Sequence, residues 1–416
     1  MQGNVTTFPI CRNCLPHVLP SAAKILYHMH QKRPNMTKDL RTYRLAPVRP
    51  IALLLASAAM FLSCSDVGVE PTSHRSLPVK GMSYTSFTND GFARGTQANA
   101  VGDMQTQLGN DWVALCVFEY QSSPTSHDIG PNTSGVNPLS GNIWPTTSTL
   151  EDLRGGITDA HSRGLKIFLK PHLDLYSGEW RAAIQPTPAW FQAYAAMVEK
   201  YAKLADSLDV EMLCIGTEFV VATQPHFTSE WRAVIVSLRK VYGGKLTYAA
   251  NWNGASDYGV SEAEFDQVQF WNDLDYVGVD AYWPLTNSLT DPLPSFETAR
   301  TRLAFQTMRI ASVANAFGKP VLITETGLQS VQGALAQPWN YSLGSSPTAV
   351  QDLDAQDLYY RVVIEAIGKQ SWCEGIFWWN WESVPTSSAA TNFTPRNKPA
   401  ATSLKFWYQA NSFAGN

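Results

Sequence analysis

The chain has 416 residues and a formal net charge of −4 at pH 7, with 31 Lys and Arg against 35 Asp and Glu. Because phosphate binding requires a concentrated basic surface, this balance excludes a nucleic acid or an anionic membrane surface as the main partner. The length permits two or three average domains, but barrels of alternating strands and helices often use about 250 residues or more as one domain.

A candidate export signal lies near the N-terminus. Residues 51–62 form an apolar run that is too short to span a bilayer as a helix but suits the core of a signal peptide. Residues 61–64 end in Cys64 and resemble a bacterial lipobox. We therefore expect an exported lipoprotein that is anchored to the bacterial cell envelope through lipidated Cys64. The alternative is an ordinary cleaved signal with an incidental cysteine, which would give a secreted protein.

The export signal divides the chain into four segments. Met36 opens a segment of normal signal length, so residues 1–35 are predicted to be an upstream extension outside the native product. Residues 36–64 are then the signal peptide, and residues 65–78, which contain Ser, Pro, Thr and Gly, are a tether. Residues 79–416 form the folded domain.

The chain contains six cysteines, and most of them are predicted to be structural or incidental. Cys116, Cys214 and Cys373 lie inside apolar runs, which indicates small buried hydrophobic residues rather than a disulfide framework. Cys11 and Cys14 have the spacing of a redox or zinc motif, but no second pair accompanies them. We therefore expect no metal and no cofactor.

From residue 79 onward, apolar runs of strand length alternate with amphipathic stretches of helix length, which is typical of a parallel sheet covered by helices. The strand candidates are residues 80–84, 112–118, 166–170, 212–215, 246–250, 276–279, 321–324 and 375–378. The helix candidates include residues 149–163, 190–207, 229–242, 296–317 and 355–369. Because no Gly-rich dinucleotide loop is present, this pattern favours an α/β fold with a single (β/α)8 TIM barrel over an open doubly wound sheet.

Loop lengths indicate which end of the predicted barrel carries a site. Long polar segments follow strands, as at residues 121–146, 329–349 and 382–398, whereas the connections that lead from helices into strands are short. Barrel enzymes build their sites from the loops that follow the strands. Glu218 and Glu325 end the fourth and seventh strand candidates, so both are predicted to open onto that face.

A carboxylate at the end of a buried strand is partly desolvated, which costs free energy. Paired carboxylates held in this way suit glycoside hydrolysis, although strand-end acids also serve as salt-bridge partners or helix caps. Phe219 and Val220 follow Glu218, and this apolar setting favours a raised pKa and a general acid. Glu325 stands between two threonines whose hydroxyls or amides are expected to stabilise an ionised carboxylate. These surroundings alone leave the two roles open.

Other polar and aromatic residues end neighbouring strands. Lys170, His172 and Asp174 alternate, which places them on one side of an extended chain. The His and Asp could form half of a metal site, but hydrogen bonds to substrate hydroxyls or to the two acids are favoured because no third ligand stands out. The fifth and sixth strands are followed by further candidate substrate contacts, namely Asn251, Trp252, Asp280, Tyr282 and Trp283.

Two aromatic features near the predicted mouth allow alternative interpretations. Tyr282 is placed to donate a hydrogen bond to one of the acids, with simple packing at the rim as the alternative. The eighth strand ends in Trp378, Trp379 and Trp381, and one of these is expected to form the floor of a substrate site. Strand alternation places Trp379 and Trp381 on one face and Trp378 on the other.

These motifs together resemble glycoside hydrolase family 113 over residues 79–408. The segments that carry the resemblance occur in the expected order, at residues 170–174, 215–218, 280–285, 323–327, 375–381, 395–400 and 406–408. The resemblance implies a retaining barrel enzyme, mainly an endo-β-1,4-mannanase, with Glu218 as acid/base and Glu325 as nucleophile. Many relatives in the same clan have Asn before the acid/base, where it contacts the sugar 2-hydroxyl, and this chain has Thr217.

We therefore expect a monomeric glycosidase that cleaves mannan or a related hemicellulose and binds polysaccharide or oligosaccharide without a cofactor. One alternative is a relative that acts on another β-glycan, such as glucan, xylan or galactan. A second alternative is a surface lipoprotein that captures glycans without cleaving them, and a third is a structural or protein-interaction role.

Overall fold

The computed structural model describes residues 77–383 and 389–410. The predicted upstream extension, the signal peptide with Cys64, and all but the last two residues of the tether lie outside the described residues, as do Cys11 and Cys14. In the described part, no helix combines the length and the apolar character needed to cross a membrane.

Eight parallel strands form a closed barrel in which each strand pairs with the next and the last pairs with the first. This confirms the predicted single (β/α)8 TIM barrel. In chain order the strands are β1 (Val79–Thr85), β2 (Trp112–Gln121), β3 (Lys166–Leu175), β4 (Met212–Thr217), β5 (Lys245–Asn251), β6 (Val277–Asp280), β7 (Val321–Thr326) and β8 (Cys373–Glu382).

Helices connect the strands and cover the outside of the barrel. In chain order they are α1 (Gly91–Gln97), α2 (Ala100–Leu108), α3 (Leu150–Ser162), α4 (Pro188–Asp206), α5 (Thr228–Leu238), α6 (Glu264–Gln267), α7 (Phe296–Arg302), α8 (Ala304–Phe317), α9 (Leu353–Val363) and α10 (Pro399–Ala410). A π-helical turn, Ile364–Gly368, extends α9.

The strands are rich in hydrophobic residues because both of their faces are buried. In β2, Val113 and Leu115 belong to the core between the barrel and its helices, whereas Ala114 and Cys116 fill the barrel interior. Cys116, Cys214 and Cys373 are all buried and none of the three forms a disulfide, which confirms their predicted role as small hydrophobic residues.

Several predicted boundaries differ from the structure. β3 continues to Leu175, so residues 170–174 lie within the strand rather than after it. The predicted helix at 296–317 is two helices, because the amide of Leu303 bonds to Arg300 O three residues back instead of continuing the four-residue spacing. The predicted helix at 355–369 begins earlier, since the Asp352 side chain accepts from the amide of Ala355 and caps α9.

One carboxylate connects the starts of two helices beside the barrel. Thr149 caps α3, and the Asp152 carboxylate in the first turn of that helix accepts the amide hydrogens of Phe92 at 3.1 Å and Ala93 at 2.5 Å. These amides belong to the first turn of α1, whose N-cap residue Asp90 makes no side-chain capping bond. Asp152 therefore satisfies donors that α1 cannot satisfy itself.

We predict that Asp152→Ala lowers the free energy of unfolding by about 1–3 kcal/mol, because two backbone donors lose their acceptor. Asp152→Asn is expected to cost less, since its amide oxygen still accepts one hydrogen bond. The exposed Glu151 in the same helical turn is the matched control, and Glu151→Ala should change stability by less than about 0.5 kcal/mol. Urea unfolding measures all three, and equal effects of the two alanine variants would contradict the bridging role.

Candidate active site

Glu325 lies near the end of β7, almost fully buried, and its carboxylate is held by two residues from other strands. Lys170 Nζ from β3 donates to Oε1 at 2.6 Å, and the hydroxyl of Tyr282, which follows β6, donates to Oε2 at 2.8 Å. The hydrogen bond predicted for Tyr282 is therefore present, rather than simple rim packing. Each oxygen of the Glu325 carboxylate thus accepts one hydrogen bond, one of them from an ammonium group.

The expectation that the neighbouring threonines support Glu325 is wrong. Thr324 Oγ1 donates to Asp280 Oδ1 at 2.7 Å, and Thr326 Oγ1 lies 3.2 Å from the hydroxyl of Tyr359. Adjacent residues of a strand point to opposite sides, so neither threonine side chain shares the orientation of Glu325.

Lys170 also contacts a second carboxylate, that of Asp280 at the end of β6, at 3.0 and 3.1 Å. Both side chains are completely buried. Burial alone would lower the pKa of Lys170, but the carboxylates of Asp280 and Glu325 raise it above its ordinary value. Burial and the charge of Glu325 raise the pKa of Asp280 to about 8, although Lys170 opposes this shift.

Since neither Lys170 nor Asp280 reaches the solvent, the structure does not place them where a substrate could touch them. Their predicted role as substrate contacts is replaced by a role behind Glu325, whose charge and orientation they hold.

Glu218 directly follows β4 and differs from Glu325 in both backbone and surroundings. Its φ of +53° lies in the left-handed region, and its amide donates to Ala249 O at 2.9 Å. The indole Nε1 of Trp180 donates to its Oε2 at 3.1 Å. Burial, as predicted from its apolar neighbours, raises the pKa of Glu218 to about 7, with Arg181 opposing the shift and Glu325 adding to it. This carboxyl group can therefore hold a proton near neutral pH.

Arg181 joins the remaining two residues of the β3 motif. It contacts Asp174 Oδ1 at 2.5 and 3.0 Å, and its Nη1 donates to His172 Nδ1 at 2.6 Å. Burial holds the pKa of His172 well below its ordinary value, so the ring is neutral and carries its proton on Nε2. That nitrogen lies 3.7 Å from Glu325 Oε1.

The shared contact with Arg181 means that His172 and Asp174 do not form half of a metal site. Across residues 77–383 and 389–410, no group of three or more His, Cys, Asp or Glu side chains is arranged to hold a metal ion.

The residues after β5 border the same mouth. Asn251 is nearly buried, and its side chain accepts from the amide of Asn253. The backbone amide of Trp252 donates to Asp280 O at 2.9 Å. The Trp252 ring lies 5.8 Å from the ring of Trp339, and Trp339 is 47% exposed. Thr217, at the end of β4, is 1% exposed and its hydroxyl lies 3.8 Å from Cys214 Sγ.

The tryptophans of β8 do not follow the predicted alternation. Met82 pairs with Trp378 and Tyr84 pairs with Trp381, so β8 has one extra residue at this point, a β-bulge. Trp379 remains partly exposed on the inner side, where its ring lies 6.2 Å from that of His172. Trp381 is instead fully buried in the outer core, with Arg396 4.3 Å from its ring. Trp379 is therefore the tryptophan available as a floor, and Trp381 is not.

Trp283 is also 1% exposed and belongs to the main hydrophobic core, so its predicted contact with substrate is not supported. Sequence reasoning missed Trp180, Arg181 and Trp339, which border the mouth. All three lie in polar loops, and only the loops' position after strands and their aromatic content could have indicated them.

Comparisons with known proteins agree with the fold and motifs. Residues 82–394 match the family model Glycoside Hydrolase Family 113. The chain is similar to a complex structure of a family 113 β-1,4-mannanase, with 24% identity, a TM-score of 0.65, and coverage of 80% of this chain and 99% of the other.

A family 113 β-mannanase from Alicyclobacillus acidocaldarius in complex with ManMIm is similar as well, with 24% identity, a TM-score of 0.64, and coverage of 80% of this chain and 97% of the other. No curated protein matches the chain. Because the family model spans most of the chain, including Glu218 and Glu325, the protein belongs to glycoside hydrolase family 113.

Proposed function

We propose that the protein is a retaining glycoside hydrolase that cleaves β-1,4-linked mannan internally. One observation carries the proposal: the two glutamates at the barrel mouth have opposite surroundings. Glu325 receives an ammonium and a phenol, which suits an ionised nucleophile, whereas burial raises the pKa of Glu218 to about 7, which suits a proton donor. Carboxyl groups whose environments separate their protonation states divide acid and nucleophile roles in this way.

The proposed reaction has two steps. In the first, a Glu325 oxygen attacks the anomeric carbon while Glu218 gives its proton to the departing glycosidic oxygen, which leaves a glycosyl ester on Glu325. In the second, ionised Glu218 takes a proton from water, and the resulting oxygen attacks the anomeric carbon and releases Glu325. Each step forms one bond and breaks one bond at the anomeric carbon with inversion, and the two inversions together retain the configuration.

The residues around Glu325 support both its attack on the anomeric carbon and its later release from the glycosyl ester. The carboxylate charge that returns in the second step is received by Lys170 Nζ and the hydroxyl of Tyr282. These groups are already in place and need no reorganisation, which is how fixed dipoles and charges lower a barrier.

The support for mannan as the substrate is less specific than the support for glycoside hydrolysis. Family membership supports glycoside hydrolysis, and the similar solved structures are named as β-mannanases. Exposed rings at the mouth, those of Trp180, Trp339 and partly exposed Trp379, offer flat surfaces on which sugar rings could stack. Thr217 occupies the position before the acid/base, and its closed surroundings offer no contact like that of the Asn in many relatives.

The first test is incubation with mannooligosaccharides, glucooligosaccharides and xylooligosaccharides of defined length. We expect cleavage within the mannose series, with initial products of the β configuration by NMR and internal cuts by chromatography. Initial α products would overturn the retaining mechanism. Preferred cleavage of the glucose or xylose series would show that mannan is not the substrate. Binding without turnover would favour a protein that captures glycans.

We predict that Glu325→Ala lowers mannan hydrolysis by at least about a thousandfold, because no nucleophile remains. The variant should still fold, since Asp280 continues to pair with Lys170. Circular dichroism and thermal unfolding check the fold. Glu297, an exposed glutamate of α7 that pairs with Arg300, provides the control Glu297→Ala, which should keep full activity. Substantial activity in Glu325→Ala would contradict the assignment.

We predict that kcat/KM falls as pH rises through about 7, because Glu218 must be protonated to act as the acid and its pKa is about 7. Trp180 donates to the ionised carboxylate, so Trp180→Phe removes a contact that favours ionisation. The pKa therefore rises, and the alkaline limb should move upward by roughly half a pH unit to one unit.

Trp339→Phe is the matched control for this prediction. Trp339 borders the mouth beside Trp252 and can affect substrate affinity, but it should leave the position of the alkaline limb unchanged. An unmoved limb in Trp180→Phe, or an equal shift in both variants, would show that the indole does not tune Glu218.

A further inference from the structure

Glu264, the first residue of α6, is a completely buried carboxylate that the proposed mechanism does not use. We propose that Glu264 is a positioning residue that acts through Tyr248 to hold Glu218 in the geometry for proton transfer. This inference rests on the proposed function, in which Glu218 is the acid/base.

The Glu264 carboxylate accepts three hydrogen bonds from two segments around Glu218, the loop after β4 and the strand β5. Its Oε1 accepts from the hydroxyl of Tyr248 in β5 at 2.6 Å and from Thr223 Oγ1, in the loop after β4, at 2.7 Å. Its Oε2 accepts from the amide of Asn251, at the end of β5, at 2.7 Å. One side chain therefore fixes the loop that begins with Glu218 against the neighbouring strand.

Tyr248 transmits this constraint to the acid/base. Its hydroxyl donates to Glu264 and accepts the amide hydrogen of Phe219, the residue directly after Glu218, at 2.8 Å. The Glu218 amide itself donates to Ala249 O. The two peptide groups that flank the Glu218 α-carbon are thus both tied to β5.

The backbone of Glu218 needs such support because its φ of +53° is unfavourable for a residue with a β-carbon. Conformations of this kind are strained and persist only where the surrounding structure fixes them. If the amide of Phe219 lost its acceptor, the turn could relax toward ordinary φ values, which would carry the Glu218 carboxyl group away from the glycosidic oxygen.

Two conservative variants interrupt the chain of contacts at different atoms. Glu264→Gln keeps the shape but presents an NH₂ group where the carboxylate accepts only, so at least one of the three donors loses its partner. Tyr248→Phe keeps the ring, which packs near Phe219 and Trp231, and removes the hydroxyl that connects Glu264 to the Phe219 amide. If Glu264→Gln did not fold, Tyr248→Phe would still test the proposal.

The readout is the dependence of activity on the leaving group. The sugar that leaves mannotetraose is a poor leaving group and must be protonated by Glu218. The dinitrophenolate of a dinitrophenyl β-mannobioside departs without protonation. General acid catalysis contributes about 10²–10⁴-fold, so we expect both variants to lower kcat/KM for mannotetraose by about tenfold or more. The value of kcat/KM for the dinitrophenyl substrate, which reports only the first step, should change by less than about twofold, because Glu325 is undisturbed.

Two controls separate positioning from general loss of stability. Glu119 is another buried carboxylate that accepts from a tyrosine hydroxyl, that of Tyr201, and it also pairs with Lys200. Glu119→Gln should lower the melting temperature without changing the ratio of the two kcat/KM values. The double variant of Glu264 and Tyr248 should lose little more than either single variant, because both act through one chain of contacts.

Equal losses on both substrates, no loss on either, or the same change of ratio in Glu119→Gln would overturn the inference. These outcomes leave the proposed function standing, because the wild type still cleaves mannotetraose in each of them. If the wild-type protein cleaved neither substrate, the proposed function would fall, and this inference would fall with it.

Discussion

A single ammonium group in the dry centre of the barrel sets the conditions for the residues around it. Lys170, in the middle of β3, is fully buried between Asp280 and Glu325, which lie near the ends of β6 and β7. A buried charge without a partner costs several kcal/mol, so the Lys170 ammonium group is tolerated because carboxylates accompany it, and it in turn pairs with both of them. The closed barrel meets this condition because it brings strands that are distant in sequence to one end. The position of Glu325 is thus a consequence of how charge is balanced across the sheet.

The surroundings of Glu218 differ from those of Glu325. Glu218 receives a neutral indole N–H where Glu325 receives an ammonium, and burial disfavours its ionised form. Two identical side chains at one mouth therefore have different hydrogen-bond partners, and surroundings rather than residue type distinguish them. The left-handed backbone at Glu218 adds a geometric difference, since the loop after β4 must turn sharply there while β7 continues as an extended strand through Glu325.

The barrel, its working end and both glutamates could be predicted because they depend on patterns local in sequence. Apolar runs, loop lengths and strand-end acids are each readable within about twenty residues. The partners of those acids were harder to predict, because Trp180 and Glu218 are 38 residues apart in the sequence and Lys170 and Glu325 are 155 residues apart. The threonine error was avoidable, because strand alternation already turns neighbours of Glu325 away from it. The wrong prediction for Trp381 was not avoidable, because nothing in residues 375–381 indicates that one residue lies unpaired against β1.

That extra residue in β8 decides which aromatic surface the mouth presents. Without it, the strand's even spacing would place Trp379 and Trp381 side by side toward the cavity and fill space that a bound molecule would need. With it, one indole faces the open end while the other anchors β8 beneath Arg396, in contact with the helical layer. Two similar residues of one strand thereby come to lie in different environments, Trp379 partly exposed at the mouth and Trp381 buried in the core, because one extra residue shifts the register of β8. A homologue that lacked this extra residue would therefore be expected to turn both indoles toward the cavity, even where the same tryptophans remain.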